Sequence, residues 1–458
     1  MIGRQPISLD RRLGPLDAAA IVISNVIGVG IFTTPGFVAT LLPNRTAMLG
    51  VWILGGALAF AGALAYAELA ARRPEAGGEY VYLRESYGNL AAFLTGWTSF
   101  VAGFSGAIAA GGVGAAGYFD RLIPGLGSSA AIASWRVGPL SLIVSPRGLV
   151  AIAIIVALAL IQARGVGPGR LVQNALTMLK VGALMAFVGI GFAFSGLAAS
   201  ASYSDPPVAV SGWLIALVPV MFSYSGWNAA VYVAEEIRHP VRNVPRALAI
   251  GTVTVVALYV ALNALYLRVV PQDLFSGTMG VGEIAAERLF GSAAGAVFAA
   301  VAIVIILSSL SAMTIAGPRV YFAMARDGAF LKSAGRVHRQ YRTPAIAILV
   351  QAIWSAILVL SGTFEQLLTY TGFAVVLFSS LAVLSLFLIR RSAHEEVAFR
   401  AWGYPWAPAI FCIVGFAIVV NAIVQAPGVA SAGLGVMAAG IPIYWWIKRQ
   451  GSRAIERS

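Results

Sequence analysis

Two short stretches and one lysine carry the chemistry of this sequence. Residues 26–32, VIGVGIF, and residues 222–228, FSYSGWN, each lie mid-way along an apolar run long enough to cross a bilayer, and Lys180 stands ten residues beyond Arg170 in a third. In hydrocarbon every backbone N–H and C=O needs a partner, so backbone released from a helix at that depth persists only where it lines a cavity or binds something. The chemistry on offer is therefore that of the main chain. A helix restarting after the first break presents unpaired N–H groups and its positive dipole end near Val29, Gly30 and Ile31, which suits a carboxylate. Carbonyls released near Ile27, Phe222, Ser223 and Ser225 suit a cation such as an ammonium. A ligand with both groups on one carbon is an α-amino acid. Glycine at 28 and 30 lets that ligand approach, because a Cβ would hold it off the backbone. Lys180 lies about 15 Å deep at 1.5 Å per residue, close to the bilayer centre, where a charge is functional by default.

The elements that position these residues follow from composition. Of 458 residues, 59% are hydrophobic and 11% charged, against about 25% charged in soluble domains. Cutting the chain at its polar interruptions leaves twelve apolar segments of roughly 18 to 30 residues, each able to span ~30 Å of hydrocarbon. They run 16–42, 47–71, 89–119, 148–164, 172–196, 211–236, 246–270, 292–325, 344–361, 366–390, 405–425 and 429–447. The fold class expected is an all-α polytopic membrane protein with twelve transmembrane helices. The breaks fall in helices 1 and 6, the first members of two successive groups of five. Because five is odd, the two groups have opposite orientation, as in the inverted repeats of secondary transporters, and the breaks face each other at the midplane. The expected divisions are 1–196 with helices 1–5, 211–390 with helices 6–10, 405–447 with helices 11 and 12, and a tail at 448–458. Of the 31 basic residues, Arg45, Arg121, Arg136, Arg147, Arg268 and Arg288 fall opposite the N-terminus and Lys180 and Arg319 within spans. All the others share the side of the N-terminus, which marks that side, and both termini, as cytoplasmic. No short apolar region with a cleavage site precedes helix 1, so no signal peptide is expected.

The same positions exclude other functions. The net charge of +13 is accounted for by topology and attraction to anionic lipid rather than by nucleic acid. His239, His338 and His394 fall in loops, so no metal site or other cofactor is expected. Residues 112–117, GVGAAG, have the letters of a dinucleotide fingerprint but no preceding strand, and read as a small-residue surface for close helix packing. No nucleophile motif accompanies Lys180, so an enzyme is not expected. Glu68, Glu235 and Glu236 fall at helix ends, which leaves no carboxylate in the pocket for a second substrate cation and favours neutral amino acids. Cys412 is the only cysteine, which excludes a disulfide within the chain.

Four stretches carry a resemblance: IGVGIFTTPG in helix 1, ALAYAELAARRPEAGGEYVYLRESYG through helix 2 and its loop, FSYSGWNAAVYVAEEIRHPVRNVPRAL through helix 6, and PRVYFAMARDGAFL after helix 8. Together they resemble the amino acid–polyamine–organocation transporter superfamily, and within it the prokaryotic relatives of the L-type amino acid exchangers, over nearly the whole chain. The resemblance implies a LeuT-like fold of five-plus-five inverted repeats, unwound in helices 1 and 6, with two extra C-terminal helices. By position, Val29, Gly30 and Ile31 would hold the substrate carboxylate, and Ile27, Phe222, Ser223 and Ser225 its amine. Phe222 would close the pocket from outside, with Gly28, Tyr224, Gly226, Trp227 and Asn228 completing the pocket and its gate. Val29 departs from the small or hydroxyl residue usual there, keeping the N–H but losing a hydroxyl contact. Many sodium-independent members carry a lysine at the place of Lys180, whose ammonium would stand in for a bridging sodium ion, contacting carbonyls near Gly28 and hydroxyls such as Ser308 or Ser311. The animal members' external cysteine is missing from the loop between helices 3 and 4, so no disulfide-linked heavy chain is expected, and the chain is expected to act as a monomer. The implied activity is sodium-independent exchange of neutral L-amino acids by alternating access in a bacterial inner membrane. Proton-coupled symport and a non-transporting amino acid sensor are the alternatives.

Overall fold

The computed structural model describes residues 9–28, 30–137, 140–196, 206–278, 280–292, 294–392 and 397–455. Helix α1 (Pro15–Val26) and α2 (Gly30–Leu41) are followed by α3 (Arg45–Arg72) and the short α4 (Glu79–Tyr87). Next, α5 (Asn89–Thr98) runs through a π turn at Ser99–Gly103 into α6 (Phe104–Leu122). After a hairpin come α7 (Pro146–Ala163), α8 (Val166–Phe194), α9 (Val210–Tyr224) and α10 (Ala229–Tyr232). The chain continues with α11 (Pro240–Val269), α12 (Gln272–Phe275), α13 (Val281–Phe290) and α14 (Ala294–Arg326). It ends with α15 (Ala345–Ser361), α16 (Phe364–Ser392), α17 (Trp406–Gln425), α18 (Pro427–Ala438) and α19 (Gly440–Ile455).

Among the described residues nine helices are long and apolar enough to cross a membrane, or ten if α1 and α2, bent by 46° at their junction, count as one crossing. That is fewer than the twelve expected. Two further apolar helices, Gly212–Tyr224 and Ala345–Ser361, are shorter. The first is short because the chain leaves the helix at Ser225 and resumes only at Ala229. The described residues are predominantly helical, as expected, with a short two-stranded addition in which β1 (Ala133–Val137) and β2 (Leu140–Val144) pair antiparallel, Trp135 opposite Leu142. Alternating ASWRV and LSLIV flanking Gly138-Pro139 is hairpin chemistry, and a search for crossing-length runs passes over it.

Packing explains why the first crossing bends. α1 lies against α11, α14 and α8, whereas α2 lies against α9 and α13, so the two halves belong to different neighbours. α8 shows how a nearly uniform apolar sequence is divided between lipid and protein. Leu171, Met178 and Met185 are widely exposed, while Gln173, Thr177, Lys180 and Leu184 form a buried stripe at helical spacing. The glycines of α6 work as packing surface: a Cβ at Gly112 would sit 3.4 Å from Ala151 Cβ on α7.

On the side of the N-terminus, buried ion pairs lock the elements. Arg319 on α14 forms a two-pronged pair with Glu236, Nε to Oε1 at 2.7 Å and Nη2 to Oε2 at 3.0 Å. Its remaining Nη1 donates to Ile315 O. Glu236 lies just beyond α10, where Leu13 N donates to Glu236 O and Arg238 N to Leu13 O, strapping the N-terminal segment across this end. On the other flank Glu68 accepts from Arg72 and Arg390 and from the Ala401 N–H. Removing one member of a buried pair leaves a bare charge, at a cost of ~3–5 kcal/mol. Arg319→Met is therefore expected to lower the thermal unfolding midpoint in detergent sharply. The double variant Arg319→Met/Glu236→Leu should recover most of the loss.

Candidate functional site

The site begins with the way α1 ends. A helix leaves its last carbonyls without intrahelical donors, and α1 ends at Val26 in the interior of the molecule. Ile23 O takes the Ile27 N–H as its donor. Ser24 O has no donor within the helix, because Gly28 is no longer helical. Lys180 fills this need: its Nζ donates to Ile27 O at 2.6 Å and to Ser24 O at 3.2 Å, and the side chain is fully buried. A cation is also what the negative end of a helix dipole favours. Ser309 on α14 joins it, its Oγ 2.7 Å from Ser24 O and 3.3 Å from Ile27 O. The two serines expected beside the lysine sit elsewhere. Ser308 Oγ pairs with Ser24 Oγ at 2.7 Å, and Ser311 accepts from Gln162 Nε2 at 2.9 Å.

The second break runs from Ser225 to Asn228 between α9 and α10. Gly226 makes it possible. Its φ of +99° is glycine territory, and a Cβ there would stand 2.9 Å from Asn25 O, so the two breaks touch at this point. The Tyr259 hydroxyl also joins them, reaching Val26 O at 3.0 Å and Ser223 O at 3.2 Å. Ser223 Oγ donates to Thr34 Oγ1 on α2 at 2.7 Å.

Both breaks open on one cavity of about 370 Å³. Gly28 and Gly30 line it from the first, and Ser223, Ser225, Gly226 and Asn228 from the second. Phe222 faces it with 54% of its surface exposed. Gly30 begins α2, so the N-terminus of that helix meets the cavity. Ile31 is buried behind it, and Val29 lies outside the described residues. Ile27 does not line the cavity; both donors at its carbonyl come from the protein. Tyr224 is buried, with its hydroxyl on Trp52 O, and Trp227 packs edge-on against Tyr66 at 4.8 Å.

Residues the sequence reading did not place complete the site. Asn25 lines the cavity, with Nδ2 on Gly226 O at 3.4 Å and a buried Oδ1 that has no partner. Its position two residues ahead of the break was the available signal. The expectation that no carboxylate reaches the pocket is corrected by Glu79, which lines the cavity. Glu79 begins α4, in the loop between crossings, and Gly77 and Gly78 bring it inward. Their φ values are +113° and +52°, and a Cβ at Gly78 would stand 2.8 Å from Tyr232 and Val231. Glu79 Oε1 accepts from Tyr66 Oη at 2.6 Å and Asn228 Nδ2 at 2.7 Å. Burial pushes its carboxyl up to about 7, against the opposing pull of those hydrogen bonds.

Comparison with known proteins places the chain in a family. Residues 13–447 match the amino acid permease family. The serine/threonine exchanger SteT of Bacillus subtilis (strain 168) is 29% identical over 449 residues, covering 96% of this chain and 98% of that protein. The b(0,+)-type amino acid transporter 1 of Homo sapiens is 30% identical over 397 residues, 85% of this chain and 78% of its own. The Asc-type amino acid transporter 1 of Homo sapiens is 26% identical, covering 96% of this chain and 82% of that one.

The two breaks respond differently to an added methyl group. Gly226→Ala meets both a strained φ and the Asn25 carbonyl, a cost of ~1–3 kcal/mol, and is expected to lower the thermal unfolding midpoint. Gly28→Ala would find its nearest neighbour, Ser309 Oγ, at 3.6 Å, so its midpoint should stay near wild type.

Proposed function

Because the chain belongs to the amino acid permease family, we propose that it is a sodium-independent exchanger of neutral L-amino acids, working by alternating access. It is a multi-pass membrane transporter and not an enzyme. The observation that carries the finer reading is the single cavity onto which both helix breaks open, with Lys180 seated on the carbonyls that α1 releases. The substrate carboxylate docks at the start of α2, on the N–H groups of Val29, Gly30 and Ile31. The ammonium is taken by the opened backbone at Phe222, Ser223 and Ser225 together with Asn25 Oδ1, while Ile27 serves Lys180. Phe222 closes the site on the outer side, Gly28 and Gly226 keep it open to a ligand, and Tyr224, Trp227 and Asn228 brace it.

Lys180 puts a protein cation where a bound metal cation would otherwise satisfy Ser24 O, Ile27 O and Ser309, which supports independence from sodium. Neutral substrates are supported by the serine/threonine exchange named for the relative SteT. They are also supported by Glu79, whose hydrogen bonds run to Tyr66 and Asn228 rather than into the cavity. In the same reading, 1–196 and 211–390 are inverted repeats, 405–447 supplies two added helices, and 448–458 is a tail. Both termini face the cytoplasm of a bacterial inner membrane, where the basic residues gather. The chain acts as a monomer without a cofactor, and its one cysteine, Cys412, is buried in α17 away from any heavy-chain disulfide.

The test is uptake of labelled neutral amino acids into sodium-free proteoliposomes. An exchanger takes up label only when unlabelled amino acid is trapped inside. Uptake into empty vesicles driven by an inward proton gradient would make it a symporter, and ligand-induced stabilisation without flux a sensor. Lys180→Ala is expected to remain folded and to lose about tenfold or more in exchange rate, in line with ~1–3 kcal/mol for carbonyls left unsatisfied. Near-normal exchange by that variant would remove Lys180 from the site.

A further inference from the structure

Among the described residues Glu79 is the one carboxylate on the cavity wall, and exchange of neutral substrates gives it no task. Its surroundings are uncharged. Tyr66 comes from α3, Tyr82 from α4 itself, and Asn228 and Tyr232 from the second break and α10; Tyr321 on α14 stands behind Tyr232. The charged groups on the same elements are engaged elsewhere: Arg319 with Glu236, Arg326 with Glu235, and Arg84 with Asp327. No Lys, Arg or His pairs with Glu79 among the described residues. A buried carboxylate without a counter-ion is costly, and the less costly alternatives are to bind a proton or to collect donors. Glu79 is built for both, since Tyr66 and Asn228 hydrogen-bond to it and it lines the cavity.

We propose that Glu79 is a proton-binding site of the transport cycle, in which its carboxyl takes a proton from cavity water and returns it there as the hydrogen bond from Asn228 is released and remade. The inference rests on the exchanger reading and deepens it. The O–H bond forms on a carboxyl oxygen at the expense of a hydronium ion, which becomes water, and the reverse step restores both. Protonation removes the negative charge that strengthens the two hydrogen bonds accepted by Oε1, so the bond from Asn228 weakens. Asn228 is the one that belongs to the opened backbone, and releasing it loosens that segment from α4. The shifted titration of Glu79 puts this exchange of partners near neutral pH, protonated below about 7 and ionised above.

The experiment follows the infrared carbonyl band of protonated carboxyl groups in the reconstituted full chain across roughly pH 5 to 9, alongside the pH profile of amino acid exchange in the same vesicles. In the wild type a band is expected to titrate within about one unit of neutrality and to be absent from Glu79→Gln. Tyr66→Phe, which removes a donor that favours the ionised form, should move the midpoint to higher pH, and it carries the test if Glu79→Gln does not fold. The exchange profile should share the wild-type midpoint and become flat in Glu79→Gln. A band missing from the wild type, or one unchanged in Glu79→Gln and unshifted in Tyr66→Phe, overturns the proposal. So does an exchange profile whose pH dependence survives in folded Glu79→Gln. A titrating band that depends on Glu79, in vesicles that move no amino acid, upholds the proton site and overturns the exchanger reading instead.

Discussion

The structure turns on a helix that stops in the interior of the molecule. Ending α1 at Val26 frees carbonyls at Ser24, Val26 and Ile27 in the middle of the molecule. Each must be answered by another element. Lys180 and Ser309 answer for Ser24 and Ile27, and Tyr259 answers for Val26. Three different helices, α8, α14 and α11, are thereby committed to positions around one point. α2 begins on the opposite side of the same gap with N–H groups that no residue of its own turn can satisfy. The break thus separates acceptors, already occupied by the protein, from donors that meet the cavity.

The second break is arranged against the first by contact rather than by charge. Gly226 is pressed to the Asn25 carbonyl so closely that no side chain fits between them, and Ser223 is tied to both Thr34 and Tyr259. The loop that carries Gly77 and Gly78 adds a third participant, because its close approach to α10 places Glu79 on Asn228. One cavity is consequently bounded by two helix breaks and by a loop from the side of the N-terminus. For a transporter, that joins the cavity between the breaks to an element outside the crossings.

The rest of the molecule holds this arrangement at both ends. Buried ion pairs at Glu236 and Glu68 fasten α14 and α16 on the side of the N-terminus, while the outward faces of helices such as α8 are plain hydrocarbon surface. Charged groups are few, and each buried one has a named partner: Arg319 has Glu236, Glu68 has Arg72 and Arg390, and Lys180 has two carbonyls. Glu79 differs from these in having only neutral donors.

Composition and spacing alone determine that this chain lies in a membrane, because so few charges over so long an apolar sequence leave no other solvent. They also determine that residues 26–32 and 222–228 are special and that Lys180 is deep, because glycine, hydroxyls and a charge are conspicuous in runs that are otherwise aliphatic. Which atoms meet is a different matter. Ser309 and not Ser308 or Ser311 stands at Lys180, because neighbours on a helix point about 100° apart and only the packing of α14 on α1 chooses among them. Ile27 O faces a lysine and not the cavity, since the turn taken after Val26 decides where a carbonyl points. Glu79 reads as a loop residue in sequence and becomes cavity wall only because Gly77 and Gly78 let the loop fold inward. The hairpin at 133–144 and the shortened helices before Ser225 and in α15 were hidden for a related reason. An apolar count registers how much of the chain avoids water, whereas its path is set by long-range contacts between residues far apart in sequence.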